Sequence, residues 1–284
     1  MNLQHDYAVL DDVSLHYVTA GEGDTVVLLH GFPETWREWR QVLPGLTQAG
    51  YRVIAPDLRG LGDSTRPLGG YDKKTIAHDV WRLAHDVLGI RSFFLVGHDW
   101  GGAVAFALAA WHRDAVSGLA VIDMVVPGDG TDALATSQGR WHHTFFRTPD
   151  LPEALAQGRE EVLLTWFYRT FGCRPDAVAP EDAAEYLRCY CSPGGLRAGL
   201  AYYRTPVQDA ADNQAAIREG GKLKMPVLAV GGGASFGRRT LVRDSLARFA
   251  ENVQGVVIEQ AGHWIPEEKP DELLGHLLAF FNAK

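Results

Sequence analysis

The chain has 284 residues, 46% of them apolar and 22% charged, with a net charge of −8. That length supports one large core, or one core carrying an inserted lobe. No segment gathers a basic stripe, which argues against nucleic acid or an anionic membrane surface as partner. No apolar run reaches the length of a membrane span, and the first residues show neither a basic start nor a long apolar core of an export signal. Three cysteines, Cys173, Cys189 and Cys191, match no common zinc spacing and cannot all pair internally. They read as reduced thiols, and the expected location is cytoplasmic.

In chain order, "YAVL" and "SLHYVTAG" predict two opening strands, and "TVVLLHG" a third that ends in a glycine-containing loop. "YRVIAPDLRG" predicts another strand and loop. "KKTIAHDVWRLAHDVLG" predicts a helix with Ile76, Val80, Leu83, Ala84 and Val87 on its buried face. The strand "SFFLVGHD" follows, then a small-residue helix from Gly101, then the strand "GLAVIDMVV". Strands apolar on both faces belong to a mostly parallel sheet covered by helices on each side. Past Val126 this texture breaks, and residues 127–218 predict an aromatic-rich helical lobe. Strands return at "MPVLAVGGG" and "VQGVVIEQAGH", and an amphipathic helix closes the chain. The expected division is therefore a core of 1–126 and 219–284 with a helical cap at 127–218 inserted into it.

Chemistry in such a sheet collects beyond the carboxyl ends of its strands. The residues at those ends are His30, Asp57, Asp99, Asp123 and His263. Asp99 occupies the middle of Gly97-His98-Asp99-Trp100-Gly101, the spacing of a nucleophile elbow with Asp in place of Ser. The bland alternative is a helix N-cap. The backbone N–H groups of Phe32 and Trp100 are placed to hold an oxyanion. His263, in "QAGHWIPEEKP", follows the last strand at a glycine corner, where the base of this architecture falls. Asp123, ending the strand next to that of Asp99, is the candidate acid, with a turn aspartate as its alternative. Asp57 reads as a loop carboxylate tied to Arg59, and His98 as structural.

The replacement of Ser by Asp carries a chemical consequence. A serine attacking saturated carbon would leave an ether that water does not reopen, whereas a carboxylate leaves an ester that a His-activated water hydrolyses. The segments "HGFPETW", "PDLRGLGDS", "GHDWGG" and "AGHWIPEEKP" resemble, over essentially the whole chain, the epoxide hydrolase and haloalkane dehalogenase branch of the α/β-hydrolase superfamily. "RWHHTFF", "LAYYRTPV" and "GGGASFG" are further similar to the Cif-type bacterial epoxide hydrolases. The resemblance implies an α/β-hydrolase fold with a helical cap, and Tyr203 and His142 as cap donors to the epoxide oxygen, with His143 the other choice for the second donor. It also implies that the acid follows the strand after the nucleophile, as Asp123 does. The implied substrates are a small apolar epoxide and water. Among the aromatic residues, Phe32, Trp36, Trp39, Trp100, Trp141 and Trp264 are the candidates to wall an apolar pocket, with ordinary core packing as the alternative. No metal ligand spacing and no nucleotide-binding loop occur, so neither a metal nor another cofactor is expected. Dehalogenation by the same Asp99 is the competing activity, since Trp100 also matches the halide-binding residue of that branch. A haloacid substrate is disfavoured, because Trp100, Ala103 and Val104 stand where an anion-binding arginine is needed. A relative that binds a small molecule without turning it over is the third reading.

Overall fold

A computed structural model describes residues 3–131 and 140–283 of the chain. The β-branched and leucine-rich runs form eight strands: β1 (Gln4–Val9), β2 (Ser14–Ala20), β3 (Asp24–Leu29), β4 (Tyr51–Pro56), β5 (Phe93–His98), β6 (Val116–Ile122), β7 (Val227–Gly232) and β8 (Val253–Ile258). They make one sheet in the order β1-β2-β4-β3-β5-β6-β7-β8. The β1–β2 and β2–β4 pairs are antiparallel, and all pairs from β4 to β8 are parallel.

Side chains of a strand alternate between the two faces, and both faces here are apolar. Val27 and Leu29 of β3 join one core cluster with Leu95 of β5, Leu119 and Val121 of β6 and the helix Trp100–Trp111. Val26 and Leu28 join the other, with Phe94, Val96, Ala120, Ile122 and the closing helix Pro270–Asn282. Double-sided burial explains why the central strands read as unbroken hydrophobic runs rather than alternating ones.

Between β6 and β7 every element of the described residues is helical: Trp141–Arg147, Leu151–Ala156, Glu160–Phe171, Pro180–Tyr190, Gly195–Ala201, the 3-10 turn Tyr202–Arg204 and Pro206–Gly220. One expectation needs correction. The helix expected to bury Val87 ends as α-helix at Arg82 and continues as a wider π-type turn, Leu83–Val87. The extra residue in that turn changes the phase of the face, so Leu83 and Ala84 stay buried while Val87 points outward.

Candidate active site

β5 and β6 are neighbours, and both end in an aspartate with a left-handed backbone: Asp99 at φ +47° and Asp123 at φ +48°. The corner at Asp99 exists because the residues two positions to either side, Gly97 and Gly101, lack side chains. A Cβ on Gly97 would stand 2.2 Å from the carbonyl oxygen of Gly101, and one on Gly101 would stand 2.3 Å from that of Leu29. Such strain in a non-glycine residue is held only where the surroundings determine it, which is a mark of functional sites.

The Asp99 carboxylate is gripped unequally. Its Oδ1 accepts the backbone N–H of Phe32 at 3.0 Å, and its Oδ2 lies 3.3 Å from His263 Nε2. Burial by itself would raise its pKa; the hydrogen bond and charge of His263, the charge of His98 and the N–H of Trp100 overcome that and hold it well below the usual carboxylate range. The loop that supplies the Phe32 N–H is secured by His30, whose Nδ1–H donates to the Gly31 carbonyl at 2.9 Å and whose Nε2 accepts from Leu58 N at 3.0 Å.

His263 Nδ1 meets Asp123 Oδ2 at 2.6 Å. The other Asp123 oxygen accepts the N–H groups of Gly232 at 3.0 Å and Arg238 at 2.7 Å. Burial pushes the Asp123 carboxyl up, and His263 with the nearby guanidinium groups of Arg140 and Arg238 brings it below its ordinary value. The loop after β7 thus wraps Asp123 with N–H donors. The backbone of His263 is pinned on both sides, its N–H to the Phe171 carbonyl of the cap at 2.9 Å and its carbonyl accepting from His98 Nε2 at 2.9 Å.

From the cap, Tyr203 reaches this centre fully buried, its ring 5.1 Å from that of Trp100 and 5.4 Å from that of Phe32. Burial and the negative charge of Asp99 push its phenol well above the usual range. His142 and His143 are both buried against Tyr203, with ring centroids 5.7 and 5.2 Å away. Burial and the charge of Arg140 lower the imidazole of His142 to about 3, and burial with His142 beside it lowers that of His143 well below its ordinary value. Both rings are therefore neutral and each carries one N–H to donate.

The remaining aromatic residues divide. Phe32 and Trp100 adjoin Tyr203, whereas Trp264 packs edge-on behind His263 at 4.7 Å and donates its indole N–H to Tyr168 O. Trp36 lies away from the rings around Tyr203, and Trp141 stands at their outer edge, 6.2 Å from the ring of His142 and 6.4 Å from that of Phe146. The ring of Trp36 lies against His5 near the sheet edge, and Trp141 is 46% exposed, packed on Trp166 and Phe167. Phe146 belongs to the rings around Tyr203, 5.0 Å from it and 6.0 Å from Phe32. A further correction concerns Asp57. It pairs with His16 at 2.7 Å and accepts the N–H groups of Trp36 and Asp63, while Arg59 is held by Asp79 and Asp12. The two side chains of "PDLRG" leave the loop in different directions, so adjacency in sequence did not make them partners.

Two groups escaped the sequence reading. Arg140 and Arg238 are buried near the Asp99–Asp123 pair, and burial with the charge of Arg140 pushes Arg238 down to about 9. Glu34 and Glu38, four residues apart after the His-Gly corner, are buried against His98 Nδ1 at 3.5 and 3.3 Å. Burial, with Glu38 beside it, raises Glu34 to about 8; burial disfavours charge on His98, but the two carboxyl groups outweigh it and raise its pKa. The signal was the pairing of His98 with two acidic residues four apart in "PETWRE".

The comparisons agree with this architecture. The family model described as alpha/beta hydrolase fold matches residues 24–270. A protein named soluble epoxide hydrolase from Corynebacterium sp. (strain C12) is 40% identical over 98% of this chain and 97% of its own. Among solved structures, Cfl2 from Burkholderia cenocepacia superposes with a TM-score of 0.91 at 41% identity, over 99% of this chain and 96% of that one. The ligand-free epoxide hydrolase CorEH gives 0.88 at 38% identity, over 99% of both chains. With the Asp elbow, the parallel sheet and these full-length likenesses together, the chain belongs to the α/β hydrolase fold family, among relatives that bear the name epoxide hydrolase.

Proposed function

We propose that this enzyme opens a small apolar epoxide to a vicinal diol through a covalent ester on Asp99, with residues 127–218 as the cap over the reaction. The observation that carries the reading is the unequal grip on Asp99: one oxygen is held by the Phe32 N–H and the other lies 3.3 Å from the base. Oδ2 attacks an epoxide carbon and the ring C–O bond breaks. The departing oxygen would be a strongly basic alkoxide, so it takes a proton from Tyr203, whose phenol is more acidic than the resulting alcohol. The N–H of His142 or His143 supplies the second hydrogen bond. His263 Nε2 then removes a proton from water, and the hydroxide adds to Cγ of Asp99. Charge develops on Oδ1, where the N–H groups of Phe32 and Trp100 hold it. Collapse breaks the ester bond and the protonated His263 returns its proton to the leaving diol oxygen. The proton left on the Asp99 carboxyl by the added hydroxide passes to the Tyr203 phenolate, so both groups return to their starting state, and Asp123 holds the imidazolium while it is charged. Water is the only co-substrate. The three free thiols support the cytoplasm as the place of work.

The mechanism fixes the origin of the diol oxygen. In a single turnover with enzyme in excess and heavy-oxygen water, the diol is expected unlabelled, with the label in the peptide containing Asp99. Label in the first-turnover diol and none in Asp99 would overturn the ester.

Haloalkane cleavage remains the second reading, favoured by one observation: Trp100 Nε1 is a buried donor beside Tyr203, a placement suited to halide. Halide needs no proton, so Tyr203 separates the two. Tyr203→Phe is expected to lower epoxide opening about 100-fold while leaving bromide release from a bromoalkane unchanged. Equal losses on both substrates would remove Tyr203 from the role of proton donor.

A further inference from the structure

Lys73 takes no part in the chemistry above, yet it is fully buried, a position that is costly for an ammonium unless it is well paired. It opens the core helix Lys73–Arg82, and its Nζ donates to the Tyr202 carbonyl at 2.6 Å and to Thr205 Oγ1 at 2.9 Å. The Asp209 carboxylate lies 3.1 Å from Nζ. Asp209 also accepts the Lys73 backbone N–H at 2.8 Å and the Thr205 hydroxyl at 2.9 Å. The same ammonium lies 4.2 Å from the centre of the Trp100 ring, within cation–π range. Burial lowers the Lys73 pKa, and the charge and hydrogen bond of Asp209 work against that shift.

These partners have one thing in common. Tyr202, Thr205 and Asp209 flank Tyr203 in the cap, and Trp100 directly follows Asp99 in the core. The peptide before Tyr203 is thus fastened to the core twice, by Lys73 and by the Tyr202 hydroxyl, which donates to Arg59 O at 2.8 Å. On its other side, Arg204 is tied within the cap, to Thr148 O and Glu153. We propose that Lys73 is a positioning residue for ring opening: its ammonium sets the Tyr203 hydroxyl relative to Asp99 by holding the Tyr202 peptide and the face of Trp100 together. This deepens the proposed function and rests on it. The effect belongs to the first chemical step, because a proton donor displaced by about 1 Å costs on the order of 100-fold in rate.

A residue that merely glued cap to core would slow the reaction whatever stood at position 203, so a mutant cycle separates the two roles. All proteins carry His263→Gln, and ester formation with a styrene-type epoxide is timed by intact mass. Lys73→Met is expected to slow adduct formation about 10- to 100-fold when Tyr203 is present, but no more than about threefold beside Tyr203→Phe. An equal loss in both backgrounds, or no loss with Tyr203 present, overturns the proposal. Should Lys73→Met fail to melt cooperatively, Lys73→Met with Asp209→Asn removes both buried charges and enters the same cycle with the same expectations. Absence of any adduct in the His263→Gln parent overturns the two-step ester route on which this proposal rests, a result distinct from equal losses, which sink only the role of Lys73.

Discussion

Asp99→Asn is expected to reduce epoxide turnover by about 10⁴-fold or more, the scale seen when a covalent nucleophile is removed. The substitution is a close test of chemistry rather than folding. Asparagine has the shape of aspartate and is among the residues that accept a left-handed backbone, as the φ of +47° at this corner demands. Its amide keeps an oxygen for the Phe32 N–H but has no anionic oxygen to attack carbon. The electrostatics around Asp99 fit the choice of residue. With its pKa held well below the ordinary carboxylate range, Asp99 stays ionised through neutral and mildly acidic pH. A decline in rate across that range must come from another group. The measurement is diol formation, with the melting curve as control: a folded Asp99→Asn protein that turns over at more than a few per cent of the parent rate would end the assignment of Asp99 as nucleophile.

His263→Gln should divide the reaction in two. Attack by Asp99 needs no base, because the carboxylate is already ionised, so ester formation is expected to continue. Hydrolysis needs a proton acceptor for water, and its loss costs about 10³- to 10⁴-fold. The enzyme then accumulates as a species heavier by one epoxide, with peptide mapping placing the added mass on Asp99. Glutamine is suited to this site: the His263 side chain is buried against Phe171, Trp264 and His98, and an amide can still meet Asp123. A variant that remains active and never gains mass would show that His263 is not the base for ester hydrolysis. A variant that neither gains mass nor turns over would point instead to a base required before carbon attack, as in a serine-type site.

What the sequence determined by itself lies along the chain. Apolar runs of strand length, glycine corners and the order Asp99, Asp123, His263 are local patterns, and a parallel sheet converts them into position because the ends of its strands share one edge. That edge brings Asp99, Asp123 and His263 within hydrogen-bond or ion-pair distance. What only the tertiary structure decided lies across the chain. Trp36 is as aromatic as Phe146, but a side chain's direction follows from the phase and packing of its element, which composition does not carry. The same holds for Val87, displaced by one π-type turn, and for Asp57, whose partner His16 comes from another strand. Lys73 shows the limit most plainly. A lysine at the start of an amphipathic helix reads as solvated, and it became a buried link between Trp100 and the Tyr203 turn only because a lobe that begins more than fifty residues later folds back onto that helix.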